Sequence, residues 1–348
     1  MSRKLLGLVC AACLCVVVSH AQQPAAPSGA PATQAAASTP ATPAPTQTQA
    51  PATSQPADGA APPQGQDADS PTLRIVTNEV NLIFTVTDKH GHYIPNLKLN
   101  DFALLDDQRA PEKVTSFRQQ INLPLRVGIV VDASTSIRSR FQFEQQSATE
   151  FLINILKAKS DRAFVMGFDV TPNVEADWTN NLDALETGIN RMRPGGGTAL
   201  FDAVYTACRD KLLDASRGQE PVRKAMILIS DGDDNQSRVH LDEAIKMCQR
   251  SETIIYAIST NWTPSRGKGD QVLTDMAGDT GGEVFFPPSV EEMSTSFKNI
   301  EEELRSQYAL TYVPADFKAD GSFRPIYLYC HDRHYEVRAR KGYFAPRQ

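Results

Sequence analysis

Leu125-Arg126-Val127-Gly128-Ile129-Val130-Val131 is a short apolar run that ends in Asp132-Ala133-Ser134-Thr135-Ser136. A run of this length, rich in β-branched residues and closed by turn-forming ones, predicts a strand buried on both faces. Such strands belong to open parallel sheets, whose ligands sit at the carboxyl ends of the strands. Asp132 is thereby placed at the top of a sheet, with Ser134 and Ser136 following at spacings of two.

Two later segments end in the same way. Thr198 follows Pro194-Gly195-Gly196-Gly197, and Asp231 follows the apolar stretch Met226 to Ser230. Two carboxylates and three hydroxyls form a set of hard oxygen donors. Mg²⁺ takes about six oxygens at roughly 2.0–2.1 Å and keeps part of its water, so this set suits it, with Mn²⁺ or Ca²⁺ as substitutes.

The order D-x-S-x-S, then T, then D closely resembles the metal-ion-dependent adhesion site of von Willebrand factor type A domains. The resemblance spans about 123–304 and implies metal roles for Asp132, Ser134, Ser136, Thr198 and Asp231. It also implies a Rossmann-like fold and a partner that offers the ion an Asp or Glu. In similar domains a shift of the last helix accompanies a change in coordination. Exported bacterial proteins of this group look similar at both flanks, including the ending Arg340-Lys341-Gly342-Tyr343-Phe344.

Around this centre the chain alternates strand and helix, as a doubly wound α/β domain requires. Ala148, Phe151, Leu152, Ile155 and Leu156 fall on one helical face, while Ala163–Phe168, Ala225–Ile229 and Ile254–Ile258 read as buried strands. Val174–Trp178, after Pro172, reads as an edge strand. Glu291–Leu304 is the final helix and leads straight into Tyr308–Val313.

The flanks have a different grammar. Val80, Leu82, Phe84 and Val86 alternate with more polar neighbours, and Phe102–Leu105 runs into a turn at Asp106-Asp107. Past the metal domain, Tyr308–Val313, Ile326–Cys330 and Tyr335–Ala339 repeat the alternation. Neither flank is long enough to bury a core alone. The economical architecture is one β-sandwich formed from 71–122 and 305–346, with the α/β domain of 123–304 inserted between them.

The amino terminus reads as an address. Arg3-Lys4, an uncharged stretch from Leu5 to Val18, and Ser19-His20-Ala21 form a signal peptide over 1–21, too short for a comfortable membrane span. The mature chain is expected to have no integral span and to be periplasmic, surface-bound or secreted. Residues 22–70 are Pro, Ala, Thr, Gln and Ser with few charges and no aromatic, the composition of a disordered spacer.

A length of 348 residues leaves room for about two domains of ~150. A net charge of −6 with no basic cluster argues against nucleic acid, which needs concentrated Lys and Arg. Of six cysteines, Cys10, Cys13 and Cys15 fall in the signal. Cys208, Cys248 and Cys330 read as small buried hydrophobes, with oxidation of two of them as the alternative in an exported protein.

Other groupings read as structural. His90 and His92 flank a turn glycine, Cys330, His331 and His334 lack a fourth ligand, and Asp233 and Asp234 form a solvated loop. Asp169 and Asp202 read as loop and cap partners. Arg138 and Arg140 either rim the metal face or begin a helix in solvent. No phosphate loop, G-x-S-x-G or H-E-x-x-H occurs, and the nearest histidine, His240, opens a separate helix. The expected function is therefore an exported, metal-dependent protein-binding or adhesion module, not an enzyme. A scaffold with a stabilising metal is the alternative, and a Mg²⁺-dependent hydrolase a more remote one. Ligand identity and oligomeric state are not encoded in these patterns.

Overall fold

The computed structural model describes residues 78–121, 123–157, 159–215, 221–261, 267–287 and 290–346. The expected signal peptide over 1–21 and spacer over 22–70 lie outside the described residues. In chain order the strands are β1 (Val80–Asp88), β2 (Phe102–Asp106), β3 (Lys113–Ile121), β4 (Leu125–Asp132), β5 (Arg162–Phe168), β6 (Pro172–Thr179), β7 (Arg223–Ser230), β8 (Ile254–Ser259), β9 (Val284–Phe285), β10 (Ser306–Val313), β11 (Phe323–Cys330), β12 (Tyr335–Ala339) and β13 (Gly342–Phe344). The helices are α1 (Phe141–Ile155), α2 (Leu182–Arg191), α3 (Leu200–Thr206), α4 (Leu241–Arg250), α5 (Lys268–Thr280) and α6 (Val290–Arg305).

The apolar runs form the central sheet, in the order β6-β5-β4-β7-β8-β9, parallel except for β6. Both faces are covered. Val127, Ile129 and Val131 of β4 pack with α1, α2 and α6, whereas Val130 on the opposite face packs with α3, α4 and α5. Gly128 is required on that second face, because a Cβ there would run into the ring of Phe164 on β5. The fold is the doubly wound α/β sheet expected of the middle segment, and β6 is its antiparallel edge.

The remaining strands form two further sheets, β12-β1-β10-β3 and β13-β11-β2. Both mix the flanks. β1 lies between β10 and β12, and β2 pairs with β11, each antiparallel. Their shared core is aromatic, with Phe84, Phe102, Phe117 and Tyr308 in ring contact. The α/β domain is thus inserted into a β-sandwich to which both flanks contribute.

Asp106 opens the expected turn, exchanging backbone hydrogen bonds with Arg109, but its side chain is not the solvated one of an ordinary turn acid. It is buried, with Arg324 Nε donating to Oδ1 at 2.8 Å and the hydroxyls of Tyr312 and Tyr343 donating to Oδ2 at 2.7 and 2.9 Å. A carboxylate taken out of water needs this many donors to offset its desolvation.

Helix α6 passes into β10 without a linker and is fastened at its end. Arg223 donates to Leu304 O, Arg305 donates to Asp161 Oδ2 at 2.7 Å and to Ile155 O at 2.8 Å, and Arg338 of the sandwich donates to Glu303 at 2.7 Å and also pairs with Glu283. Cys208 and Cys248 are joined by a disulfide that ties the π-helical continuation of α3 to α4, so for these two the reading as free buried thiols is corrected. Cys330 is free and buried. Among the described residues no helix is long and apolar enough to cross a membrane.

Candidate metal centre

The carboxyl ends of β4 and β7 lie side by side at the top of the sheet, so Asp132 and the segment Ser230–Asp231 meet there. Asp132 is fully buried. Its Oδ1 accepts from the backbone N–H of Ser134 at 2.8 Å, and its Oδ2 accepts from the Ser230 hydroxyl at 2.7 Å. The first bond is the turn geometry that a short acidic side chain imposes two residues on. It folds the loop back so that the Ser134 and Ser136 hydroxyls touch, Oγ to Oγ, at 2.8 Å. Ser134 is buried and Ser136 exposed, so the loop carries its oxygens from the interior to the surface.

The glycine-rich loop is stitched to this one. Gly195 N donates to Ala133 O at 2.8 Å, and the Thr135 hydroxyl donates to Gly196 O at 2.8 Å. Thr198, buried at the end of that loop, receives Asn235 and Gln236 N–H groups on its carbonyl and donates its own N–H to Asn235 Oδ1 at 3.0 Å. The third loop is turned by Gly232, at φ 82°, where a side chain would collide with the backbone of Gly269. Asp233 N donates to Asp231 Oδ1 at 3.1 Å and Asn261 holds Asp231 O at 3.0 Å.

The electrostatics favour a cation. Burial pushes the Asp132 carboxyl up to about 6; the bonds from Ser134 and Ser230 oppose this, and the charge of Asp231 adds to it. Glu144, buried in the first turn of α1, is raised well above its ordinary value, chiefly by burial and then by Asp132. Both oxygens of Glu144 lack a hydrogen-bond partner among the described residues. Asp132 and Asp231, with the hydroxyls of Ser134, Ser136 and Thr198, are the oxygen types that a hard divalent ion takes, and the buried Glu144 adds to the acidity around them. No signal in the sequence marked Glu144, since a lone Glu at a helix start is normally solvated.

The other groupings occupy ordinary positions. His92 bonds Asp88 at an exposed turn, and His334 bonds Asp332 in another. Asp169 caps its own turn through Thr171 N, and Asp202 Oδ1 clamps the N–H groups of Arg238 and Val239. Asp234 accepts from Ser237 and Phe201 N. Arg138 is exposed, whereas Arg140 is half-buried with one terminal guanidinium nitrogen unbonded. Among the described residues no three His, Cys, Asp or Glu side chains converge as a ligand set. A groove of about 1230 Å³ runs between α4 and strands β11 and β12, and none of the five motif residues lines it.

The model of the von Willebrand factor type A domain matches residues 127–300. The chain belongs to that family. No curated protein sequence matches it. Among solved structures, this von Willebrand factor type A chain is similar to BatB from Bacteroides thetaiotaomicron at 16% identity, over 51% of this chain and 98% of that one, with a TM-score of 0.42. A von Willebrand factor type A protein from Catenulispora acidiphila shares 14% identity over 70% and 72% of the two chains, TM-score 0.43. Proximal thread matrix protein 1 from the mussel byssus, solved with a zinc-occupied MIDAS motif, shares 19% identity over 53% of this chain, TM-score 0.41. The match spans 48% of that protein.

Proposed function

We propose that this type A domain protein is an exported binding module that holds a divalent cation, Mg²⁺ in the first instance, and uses it to capture an acidic residue of a partner protein. The observation that carries this reading is the Asp132 loop, in which a fully buried carboxylate facing Asp231 is continued by Ser134 and by an exposed Ser136 hydroxyl. Asp132, Ser134, Ser136, Thr198 and Asp231 would hold the ion. Bound there, it would supply an electrophilic centre that exchanges water for a carboxylate.

The surroundings support binding rather than turnover. Among the described residues the hydrogen-bond partners of these side chains are hydroxyls, amides and backbone groups, and none of those partners is a base. The signal-like amino terminus and the Pro- and Ala-rich spacer support a role outside the cytoplasm.

Calorimetry with Mg²⁺ on the mature chain, followed by capture of envelope and secreted proteins with and without EDTA, tests the proposal. One site per chain is expected, abolished in Asp132→Ala and weakened in Ser136→Ala, whose exposed position keeps the fold safe. Capture that persists unchanged in EDTA leaves the ion a structural role and overturns the adhesion reading.

A further inference from the structure

Two carboxylates of this protein are equally buried and differently treated. Asp106 receives three charged or hydroxyl donors, whereas Glu144 receives none at either oxygen. A lone buried carboxylate is costly, and a fold retains one where something outside its ordinary hydrogen bonds compensates.

Two more polar groups beside it are in the same condition. The hydroxyl of Thr260 lies beside Glu144 without forming a well-aligned hydrogen bond, and one terminal nitrogen of Arg140 is buried and unbonded. The three groups come from three places: the first turn of α1, the loop before it, and the residue just past β8. Thr260 N donates to Ser230 O at 3.1 Å, one residue before Asp231. The acidic groups that bear on Glu144 are Asp132 and Asp231, and its cationic neighbour is Arg140. A buried polar compartment therefore lies behind the loops that carry the motif.

We propose that Glu144 is a positioning residue of the cation centre, acting from behind Asp132 and Asp231 through an intervening oxygen and adding a third negative charge to the field that holds a divalent ion. This rests on the metal reading given above. Glu144 does not act as a ligand, because no three acidic side chains converge to a single point among the described residues. The Thr260 hydroxyl is the protein group placed to bridge it, and Arg140 offsets part of the added charge. Glu144 lies outside the D-x-S-x-S, T and D pattern, so the centre of this chain is more acidic than its motif alone indicates.

The test compares the full mature chain with Glu144→Gln, Thr260→Val and Ser136→Ala, using calorimetric titration with Mg²⁺ and thermal unfolding in EDTA. Glu144→Gln is expected to weaken Mg²⁺ binding roughly 10- to 100-fold, the usual effect of an outer-shell partner. In EDTA at neutral pH it should unfold about 2–4 °C higher, since the wild-type carboxyl must take up a proton to be buried and the amide need not. A purely structural role would move the unfolding temperature and leave the affinity alone. If Glu144→Gln binds Mg²⁺ like wild type while Ser136→Ala does not, the inference fails and the metal reading stands. If wild type binds no divalent cation, the metal reading itself fails and this inference falls with it. Should Glu144→Gln not fold, Thr260→Val decides, and an affinity unchanged in that variant overturns the proposal.

Discussion

Arg338, on the sandwich strand β12, donates a hydrogen bond to Glu303 at 2.7 Å within the last turn of α6. Together with Arg223 on Leu304 O and Arg305 on Asp161, it fastens the end of the helix to three different elements. A helix that slides on ligand binding must release such contacts, and a ligand shifts two states only by its difference in affinity, typically ~1–3 kcal/mol. Amide hydrogen exchange over residues 290–305 should therefore be the same with and without Mg²⁺. Faster exchange confined to α6 on adding the ion would show that the helix moves after all.

Glu303 also makes the junction sensitive to pH. Burial pushes its carboxyl up to about 7, against the Thr85 hydroxyl and the Arg223 guanidinium nearby. The folded protein then holds that proton more tightly than the unfolded chain does. Its contribution is complete below the ordinary glutamate range, near pH 4, and is lost as pH rises to about 7. Chemical denaturation in EDTA should show a decline across that window to which Glu303 contributes on the order of 2 kcal/mol, and Glu303→Gln should remove that share while the raised carboxyls of Asp132 and Glu144 keep theirs.

The Cys208–Cys248 disulfide closes a loop across a sequence separation of 40 residues. That loop contains Asp231 and begins just beyond the helix that follows Thr198. Removing the cross-link frees the unfolded chain, at a cost of roughly 3–4 kcal/mol for a loop of this size. The paired replacement Cys208→Ala with Cys248→Ala should lower the urea midpoint accordingly. An unchanged midpoint would mean that the bond adds nothing to equilibrium stability.

Much of the fold was legible because its signals are local. Leu125–Val131 and Ala225–Ile229 are apolar on both faces, and that alone places them in a covered parallel sheet. Val80 to Val86 alternate because only one face of β1 meets the sandwich core. What was not legible depends on distant partners. Asp106 looks like a turn acid until Arg324, more than two hundred residues away, folds against it. The Cys208–Cys248 pair has no spacing rule, since its geometry depends on how α3 and α4 pack. Of the candidate site, the five motif residues were readable from spacing, whereas Glu144 carries no mark beyond its burial.

The sandwich should stand without the domain inserted in it. Ile121, the last residue of β3, pairs with Ser306, the first of β10, so the two chain crossings sit where a hairpin turn would. Replacing residues 122–305 with Asn-Gly, which suits a two-residue turn, should leave a protein that unfolds cooperatively though less stably. Residues 72–121 alone should remain unfolded, because β1 would lose both neighbours, β10 and β12. A protease-resistant amino-terminal fragment would refute the shared architecture.

The placement of those crossings also determines how the molecule would bear a pull. The five registered pairs between β1 and β10 run from Val80 with Tyr312 to Phe84 with Tyr308, so the chain enters β1 at the end of the ladder opposite Ser306. A load between the amino end of β1 and the Asp132 loop would arrive at opposite ends of neighbouring strands and act along their length. The rungs then resist in parallel, as in a lap joint, instead of parting one after another like a zip. On the proposed binding role, a grip at the top of the α/β sheet would be matched by an anchorage that holds best along the direction of such a load.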